Sequence, residues 1–285
     1  MSGVKWGKTR RQFQRVTYHY LIIVLFVGLG LLIYPTASDY INSLHQSKAI
    51  STYAERVENM DEEQYKEMSE AARQYNYELS QRTQNYKLTE AEAAQYMQCL
   101  NVDGNGAMGY IEIPSIKVSL PIYHGTDDIV LQTAIGHLEW TSLPVGGESS
   151  HCVLSGHRGL PSAKLFTNLD KLVNGDIFVL RVLNEVLTYE VDQILIVEPE
   201  NIDSLHIAEG QDYCTLVTCT PYGINTHRLL VRGHRIANTE EAHVAFVTAD
   251  ATQIEPVLVA PMLAIPMLLV LLIILLLPKK KKEKH

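Results

Sequence analysis

The sequence predicts a mainly β domain that follows a helical segment and lies between two membrane-spanning helices. Beyond residue 106, short apolar runs rich in β-branched and aromatic residues alternate with turn residues, which is typical of an all-β barrel or sandwich. Between residues 38 and 100, apolar side chains recur every three to five positions, as on an amphipathic helix. Two long uncharged apolar stretches lie near the two ends of the 285-residue chain.

The first apolar stretch predicts a membrane helix over residues 18–34, preceded by a basic cytoplasmic N-terminus over residues 1–17. Residues 21–33 carry no charge, although the stretch is at the short end of the ~17–25 residues that span a bilayer. Basic residues beside a span stay on the cytoplasmic side. Those that precede this span are Lys5, Lys8, Arg10, Arg11 and Arg15. A cleaved signal peptide is the alternative, with residues 35–38 as the cleavage region.

The second apolar stretch predicts a membrane helix over residues 257–277, followed by a cytoplasmic lysine tail over residues 278–285. Residues 35–256 are then expected outside the cell. The whole chain has a net charge of −8; without the five basic residues before the first span and the five lysines and one glutamate after the second, 14 basic and 31 acidic residues remain, a net charge of −17. An acidic, outward-facing region argues against a nucleic-acid partner.

The extracytoplasmic residues 35–106 are predicted to be helical and to pack on the domain that follows. The apolar positions of the main helix are Tyr53, Val57, Met60, Tyr65, Met68, Ala72, Tyr75 and Leu79. Thr89-Glu-Ala-Glu92 is a capping-box pattern, which predicts a second, short helix from Glu90 to about Met97. Residues 103–106, Asp-Gly-Asn-Gly, are predicted to form a turn, because they lack the further ligands of a calcium loop.

Residues 107–238 are predicted to form the β domain, with residues 239–256 as a linker to the second span. Seven strands are expected, over residues 110–114, 118–123, 151–155, 177–183, 186–197, 213–220 and 228–236. Residues 162–171 are expected to form a short helix or a loop.

Three polar side chains at strand ends are candidates for thiol chemistry. Cys219 ends one apolar run, His157 follows another, and Arg228 begins a third. A thiolate attacks a peptide carbonyl well. An imidazole can protonate the leaving amine and deprotonate an incoming one, and a guanidinium can stabilise the oxyanion.

The residues alone leave alternatives open for each of these roles. Cys219 is equally compatible with a buried core thiol, and His157 competes with ten other histidines. Arg228 and Arg232 share a face of a regular strand, so alternation does not choose between them. The other three cysteines, Cys99, Cys152 and Cys214, are expected to be small buried residues. Cys152 and Cys214 would be the pair if a disulfide formed.

Four stretches carry a resemblance to a known family. The longest is Thr215-Leu-Val-Thr-Cys219-Thr-Pro-Tyr-Gly-Ile-Asn-Thr-His-Arg228-Leu-Leu-Val-Arg-Gly233, and the others are residues 109–114, 120–126 and 143–162. They closely resemble class C sortases, the pilus-assembling transpeptidases of Gram-positive bacteria. The likeness covers residues 109–236 almost continuously, and the two-span layout with a lysine tail resembles the same class.

The resemblance implies a closed eight-stranded barrel in which Cys219 is the nucleophile, His157 the acid and base, and Arg228 the oxyanion or substrate-binding cation. It implies cleavage of an Leu-Pro-x-Thr-Gly-like sorting signal and transfer of the acyl group to a lysine of a pilin subunit, without a cofactor or metal. The alternatives are a sortase that anchors proteins to peptidoglycan, a non-catalytic membrane-tethered assembly factor, and a secreted thiol protease.

One feature of the family is missing from the sequence. Many class C sortases cover the cysteine with a lid that carries an Asp-Pro-aromatic tripeptide, but no Asp-Pro dipeptide occurs in this chain. The corresponding residues 87–92 read Lys-Leu-Thr-Glu-Ala-Glu. A site without this lid, or covered differently, is therefore predicted.

Overall fold

The computed structural model describes residues 5–82, 87–102 and 104–238. The predicted linker, second membrane helix and lysine tail lie outside the described residues. Within the described residues, one helix is long and apolar enough to cross a membrane, and its candidate segment runs over Thr17–Glu58. The structure thus supports the first of the two predicted spans. The helix that contains it, α1, runs over Lys5–Glu58 and is not interrupted at Pro35.

Two further helices follow α1. Helix α2, Glu62–Ser80, begins at the N-cap Asp61, whose carboxylate accepts a hydrogen bond from Gln64 N at 2.8 Å. The predicted helix over residues 38–100 is therefore interrupted at residues 59–61. Helix α3, Glu90–Gln98, confirms the predicted capping box: Thr89 Oγ1 accepts from the Glu92 amide, and the Glu92 carboxylate accepts from the Thr89 amide.

The eight strands of the described residues form a closed barrel. They are β1 Ala107–Ile113, β2 Val118–His124, β3 Ile135–His137, β4 Ser150–Ser155, β5 Ile177–Val182, β6 Glu185–Val197, β7 Asp212–Thr220 and β8 His227–Ile236. Their order around the barrel is β1-β2-β3-β4-β7-β8-β6-β5. Helix α4, Asp128–Leu131, precedes β3. Of the two architectures that the strand pattern allowed, the barrel is confirmed.

The strand missed by sequence reasoning is β3. With three residues, it is too short for an apolar alternation to be recognised. It pairs in parallel with β2 and antiparallel with β4. The pairing of β4 with β7 is also parallel, which places two strands distant in sequence side by side.

The prediction that the helical segment packs on its own domain is confirmed by buried polar contacts. Tyr53 of α1, 2 % exposed, donates its hydroxyl to Met108 O at 2.9 Å and accepts the Leu183 amide at 2.8 Å. Asn76 of α2 exchanges two hydrogen bonds with the backbone of Leu143, at 3.0 and 2.7 Å. Helix α2 and the part of α1 from Asp39 onward therefore belong to the same compact unit as the barrel.

We expect Tyr53→Phe to destabilise the full chain by about 1–3 kcal/mol, because it leaves the Met108 carbonyl and the Leu183 amide buried without this partner. Urea unfolding in detergent micelles measures the change. Tyr40→Phe on the same helix is the matched control, since the Tyr40 side chain is 56 % exposed. Equal stability of the two variants would contradict the prediction.

Candidate active site

The strand register brings the three predicted site residues to one end of the barrel. In the antiparallel pair of β7 and β8, Cys219 lies opposite Arg228. In the parallel pair of β4 and β7, Ser155 lies beside Val217, and both chains continue for two residues, to His157 and to Cys219. Three neighbouring chain segments therefore bring the site residues to the same end of the barrel: His157 follows β4, Cys219 lies near the end of β7, and Arg228 lies near the start of β8.

Hydrogen bonds extend the contact between β4 and β7 as far as the site. The Gly156 amide donates to Val217 O at 3.0 Å, and the Thr218 hydroxyl donates to Gly156 O at 2.7 Å. Gly156 itself allows close packing, since a Cβ there would lie 2.6 Å from the Ile135 side chain and 2.7 Å from the Phe166 ring. The residue before His157 is thus fixed in place.

Cys219 lies on the face of β7 that points away from the barrel core. Cys214 and Leu216, on the inner face, are fully buried in the core cluster. Val217 and Cys219 share the other face, and Cys219 is half-buried. Solvent accessibility thus distinguishes the Cys219 thiol from the core thiols. Its position in the sequence alone could not make this distinction.

The other three cysteines are free and buried, as predicted. Cys152 and Cys214 are register partners on β4 and β7. Burial raises the pKa of the Cys99 thiol, and it raises the pKa of Cys214 well above its usual range. Burial also acts on the 2 % exposed Cys152 thiol, but its hydrogen bonds to Cys214 and His137 outweigh burial and lower its pKa to about 6. Burial shields all three of these thiols from solvent, so Cys219 is the accessible candidate nucleophile.

A thiol reagent such as Ellman's reagent is therefore expected to modify one cysteine rapidly in the native full chain and the remaining three only after unfolding. Cys219→Ala should remove the rapid phase. Cys99→Ala is the matched control and should leave it unchanged. Rapid modification of two or more thiols in the native protein would contradict the assignment.

Arg228 and Arg232 differ in their partners. The Arg228 guanidinium donates to two backbone carbonyls, Asn225 O in the β7–β8 connection at 3.3 Å and His227 O at the start of β8 at 3.1 Å. Arg232 binds both carboxylate oxygens of Asp192, at 3.0 and 2.8 Å, and lies 4.1 Å from the centre of the Tyr213 ring. Arg232 also sits four residues further along β8, roughly 13 Å from the level of Cys219. These contacts favour Arg228 as the cation of the site.

His151 is a competing histidine on β4, and its contacts exclude a role as proton carrier. It is 1 % exposed. One ring nitrogen lies 2.7 Å from the Thr215 hydroxyl and the other 2.9 Å from His206 O. Burial lowers the pKa of His151 to about 4, so that its ring is neutral at neutral pH.

An apolar cluster covers the same outer face of β4, β7 and β8 that carries Cys219. Its buried members are Val153, Leu205 and Leu230, and the partly buried residues against them are Leu138, Trp140, Leu195, Val197, Ile202 and Val217. Sequence reasoning missed this surface, although its strand residues stand at alternate positions. Val153, Leu205 and Leu230 are 0%, 6% and 4% exposed, so this cluster is a second packed apolar core on the side of β7 that carries the thiol.

Known proteins share this architecture. The family model described as the sortase domain matches residues 111–236. Sortase D of Bacillus subtilis (strain 168) is 31% identical over 133 residues, 46% of this chain and 64% of its own length. Sortase A of Streptococcus agalactiae serotype III (strain NEM316) is 31% identical over 146 residues, 50% of this chain and 56% of its own length. The chain thus spans about three fifths of these two relatives.

Solved structures of similar proteins align with this chain over 98–100% of their own length. Sortase C1 from Streptococcus agalactiae is 53% identical with a TM-score of 0.66, and the alignment covers 67% of this chain and 100% of that chain. Clostridium perfringens sortase C with the C-terminal cell wall sorting motif is 46% identical with a TM-score of 0.60 and the same coverage. Sortase C of Streptococcus pneumoniae, whose structure concerns catalysis and pilin substrate specificity, is 44% identical with a TM-score of 0.60, over 67% of this chain and 98% of that chain.

The closed eight-stranded barrel, the sortase domain match and the identity to whole solved domains agree with one another. The chain belongs to the sortase family of cysteine transpeptidases, and the solved structures it resembles are class C sortases.

Proposed function

We propose that this chain is a class C-like sortase that cleaves an Leu-Pro-x-Thr-Gly-like sorting signal and joins pilin subunits through isopeptide bonds to lysine. The observation that carries the proposal is the register, which ends three neighbouring chain segments at His157, Cys219 and Arg228. A thiol, an imidazole and a guanidinium at one place are the groups that acyl transfer from a peptide requires.

Each residue has a defined part in the first half-reaction. The Cys219 thiolate attacks the carbonyl carbon of the threonine in the signal. Arg228 stabilises the negative charge that develops on the threonine carbonyl oxygen in the tetrahedral intermediate. His157 then protonates the leaving glycine amine, so that the peptide bond breaks and a thioester remains on Cys219.

The second half-reaction reverses these steps with a new amine. A lysine amine attacks the thioester carbonyl, and His157 takes a proton from the attacking nitrogen. Collapse of the intermediate releases the Cys219 thiolate and leaves an isopeptide bond. The reaction needs no cofactor, because both proton transfers and the charge stabilisation use protein side chains.

The similar proteins support the substrate class. The structure of Clostridium perfringens sortase C contains the C-terminal cell wall sorting motif, and that of Streptococcus pneumoniae sortase C concerns pilin substrates. The proposed location follows from the sequence and α1: a membrane protein with two spans, both termini cytoplasmic and the barrel outside.

The test is the choice of acceptor. The full chain in detergent micelles is mixed with a pilin carrying a sorting signal, and the products are analysed by mass spectrometry with a lysine-bearing pilin domain, a peptidoglycan amine or water as the acceptor. An isopeptide bond to pilin lysine is expected. Preferential transfer to the peptidoglycan amine would show an anchoring sortase instead, and release to water in the presence of both amines would show a protease.

The absence of an Asp-Pro-aromatic lid is a separate prediction. Helix α3 carries Tyr96, which is fully buried, so a test must leave α3 intact. We expect replacement of residues 83–88, up to the N-cap Thr89 of α3, by a Gly/Ser stretch of equal length to leave the rate of sorting-peptide hydrolysis unchanged. The Tyr77→Ser variant, at a side chain 62 % exposed on α2, controls for changes near this segment. A large gain in hydrolysis rate would reveal an inhibitory cover there.

A further inference from the structure

The side chain of Arg158 is a buried cation beside the proposed active site. It follows His157 directly, and its side chain is 10% exposed. Its Nη2 binds the Asp170 carboxylate at 2.5 Å, its Nη1 donates to the Thr220 hydroxyl at 3.3 Å, and its guanidinium lies 5.8 Å from the centre of the Tyr222 ring. Two other segments of the chain, one with Asp170 and one with Thr220 and Tyr222, thus meet on the Arg158 guanidinium.

The burial of Arg158 is unfavourable for folding stability if the side chain serves only to fill space. Its Nε is buried and has no hydrogen-bond partner in the described part of the chain. Burying a charge and leaving a donor unpaired both cost free energy. An apolar side chain of similar volume often stabilises a protein as well or better at such a position. The stability of the fold therefore does not explain the arginine, whereas the contacts that it makes near the active site can.

Arg158 links the residues that follow the two reacting groups. It is itself the residue after His157, and Thr220 is the residue after Cys219. Tyr222 follows two positions later and lies against Gly159, where a Cβ would come 2.9 Å from the ring. One side chain therefore joins the end of β4 to the end of β7, at the level of the imidazole and the thiol.

The Arg158 guanidinium contacts β7 on the face opposite to the one that carries the Cys219 thiol. Thr220 and Cys219 point to opposite faces of β7, and Thr220 is buried whereas Cys219 is half-buried. Arg158 bonds to Thr220, so it lies on the face opposite the apolar cluster and the thiol.

The anchor of Arg158 is itself held firmly. Asp170 lies in the single-turn 3₁₀ helix Leu169–Lys171, whose Leu169 is fully buried. The intervening segment is bound back to the end of β4, because the Phe166 amide donates to His157 O at 3.1 Å and the Gly159 amide donates to Thr167 Oγ1 at 3.1 Å. The guanidinium thus connects the two strand ends to a fixed support.

We infer that Arg158 is a positioning residue for the transpeptidation reaction, setting the separation and orientation of the His157 imidazole relative to the Cys219 thiol. The inference rests on the proposed function of that pair. Arginine suits the role better than lysine, because its planar fork serves a carboxylate and a hydroxyl at once and stacks on a ring. A displacement of about 1 Å between reacting groups can lower a rate on the order of 100-fold.

The experiment compares Arg158→Gln, Arg158→Lys and Asp170→Asn with Arg181→Gln in the full chain in detergent micelles. Arg181 is the matched control: its side chain is 12% exposed, close to the 10% of Arg158, and its ion pair with Glu112 at 2.8 Å lies on β5 and β1, away from Cys219. Its carboxylate partner is more buried than that of Arg158, since Glu112 is 8% exposed and Asp170 43%. Steady-state cleavage of a sorting peptide gives kcat and KM, and thermal unfolding gives Tm. Arg158→Gln should lower kcat about 10- to 100-fold with KM unchanged, and Arg158→Lys and Asp170→Asn should fall between it and the wild type. Arg181→Gln should lower Tm without lowering kcat per folded enzyme.

A second readout needs no substrate and would not change if Arg158 acted on stability alone. The rate of alkylation of Cys219 by iodoacetamide, measured against pH, reports the reactivity of the thiol in its local environment. Arg158→Gln should give the profile of His157→Ala, and Arg181→Gln that of the wild type. A wild-type profile and a wild-type kcat in Arg158→Gln would overturn the inference. If Cys219→Ala keeps its activity, the proposed function fails instead; if Cys219→Ala is inactive and Arg158→Gln fully active, only the role of Arg158 fails.

Discussion

Replacing Cys219 with alanine is expected to lower kcat for isopeptide formation by about 10⁴-fold or more, because removal of a covalent nucleophile removes the whole acyl-enzyme pathway. The loss should affect sorting-peptide cleavage and pilin joining alike, since both pass through the thioester. Mass spectrometry of the full chain mixed with pilin measures it directly: the wild type should gain the mass of the acyl group, and Cys219→Ala should not.

Two controls make this result interpretable. Cys152→Ala removes a core thiol that is 2 % exposed, so it should keep the acyl-enzyme while losing stability. Cys219→Ala should unfold at the same urea concentration as the wild type, because the side chain is only half-buried. Pilin joining that persists in Cys219→Ala would establish a non-catalytic assembly factor, the alternative from a different class of function.

The second large effect concerns the two arginines of β8. Arg228→Ala is expected to lower kcat about 10²- to 10³-fold, as the loss of one oxyanion donor does in other enzymes, with a small effect on stability because its two partners are backbone carbonyls that can bind water. Steady-state kinetics with a sorting peptide and the Tm of each variant measure the two effects separately.

Arg232→Ala is the matched variant and should behave in the opposite way. It leaves the Asp192 carboxylate without its paired guanidinium and uncovers the Tyr213 ring, so it should lower Tm while kcat per folded enzyme stays near that of the wild type. If Arg232→Ala loses kcat and Arg228→Ala does not, the cation of the site has been assigned to the wrong residue.

The chemistry of the site was more predictable from the sequence than its geometry. A cysteine, a histidine and an arginine at strand ends were candidates because alternation stops where turn residues begin, but only the resemblance to class C sortases chose Cys219, His157 and Arg228 among the alternatives. The parity of β8 could not separate Arg228 from Arg232, since a strand repeats every two residues. The difference lies in Asp192, on a neighbouring strand, and only the register of β6 and β8 brings Asp192 to Arg232.

The parts of the fold that escaped prediction depend on tertiary contacts. The strand β3 has three residues and no local pattern, and it is defined by its pairing with β2 and β4. The role of Arg158 was not predicted either, because an arginine after a histidine has no distinct sequence signal. Its importance comes from Asp170 and Thr220, which are remote in sequence and meet it only in the folded barrel.

The parallel pairing of β4 and β7 has a consequence for the order in which the protein becomes active. Cys219 and His157 are 62 positions apart, and β5 and β6, which lie between them in the chain, do not lie between β4 and β7 in the barrel. Pairing over such a distance is slow compared with the formation of a local hairpin. Before the barrel closes, the thiol and the imidazole are therefore not held together, and the capacity to form an acyl-enzyme arises only when β4 and β7 have paired.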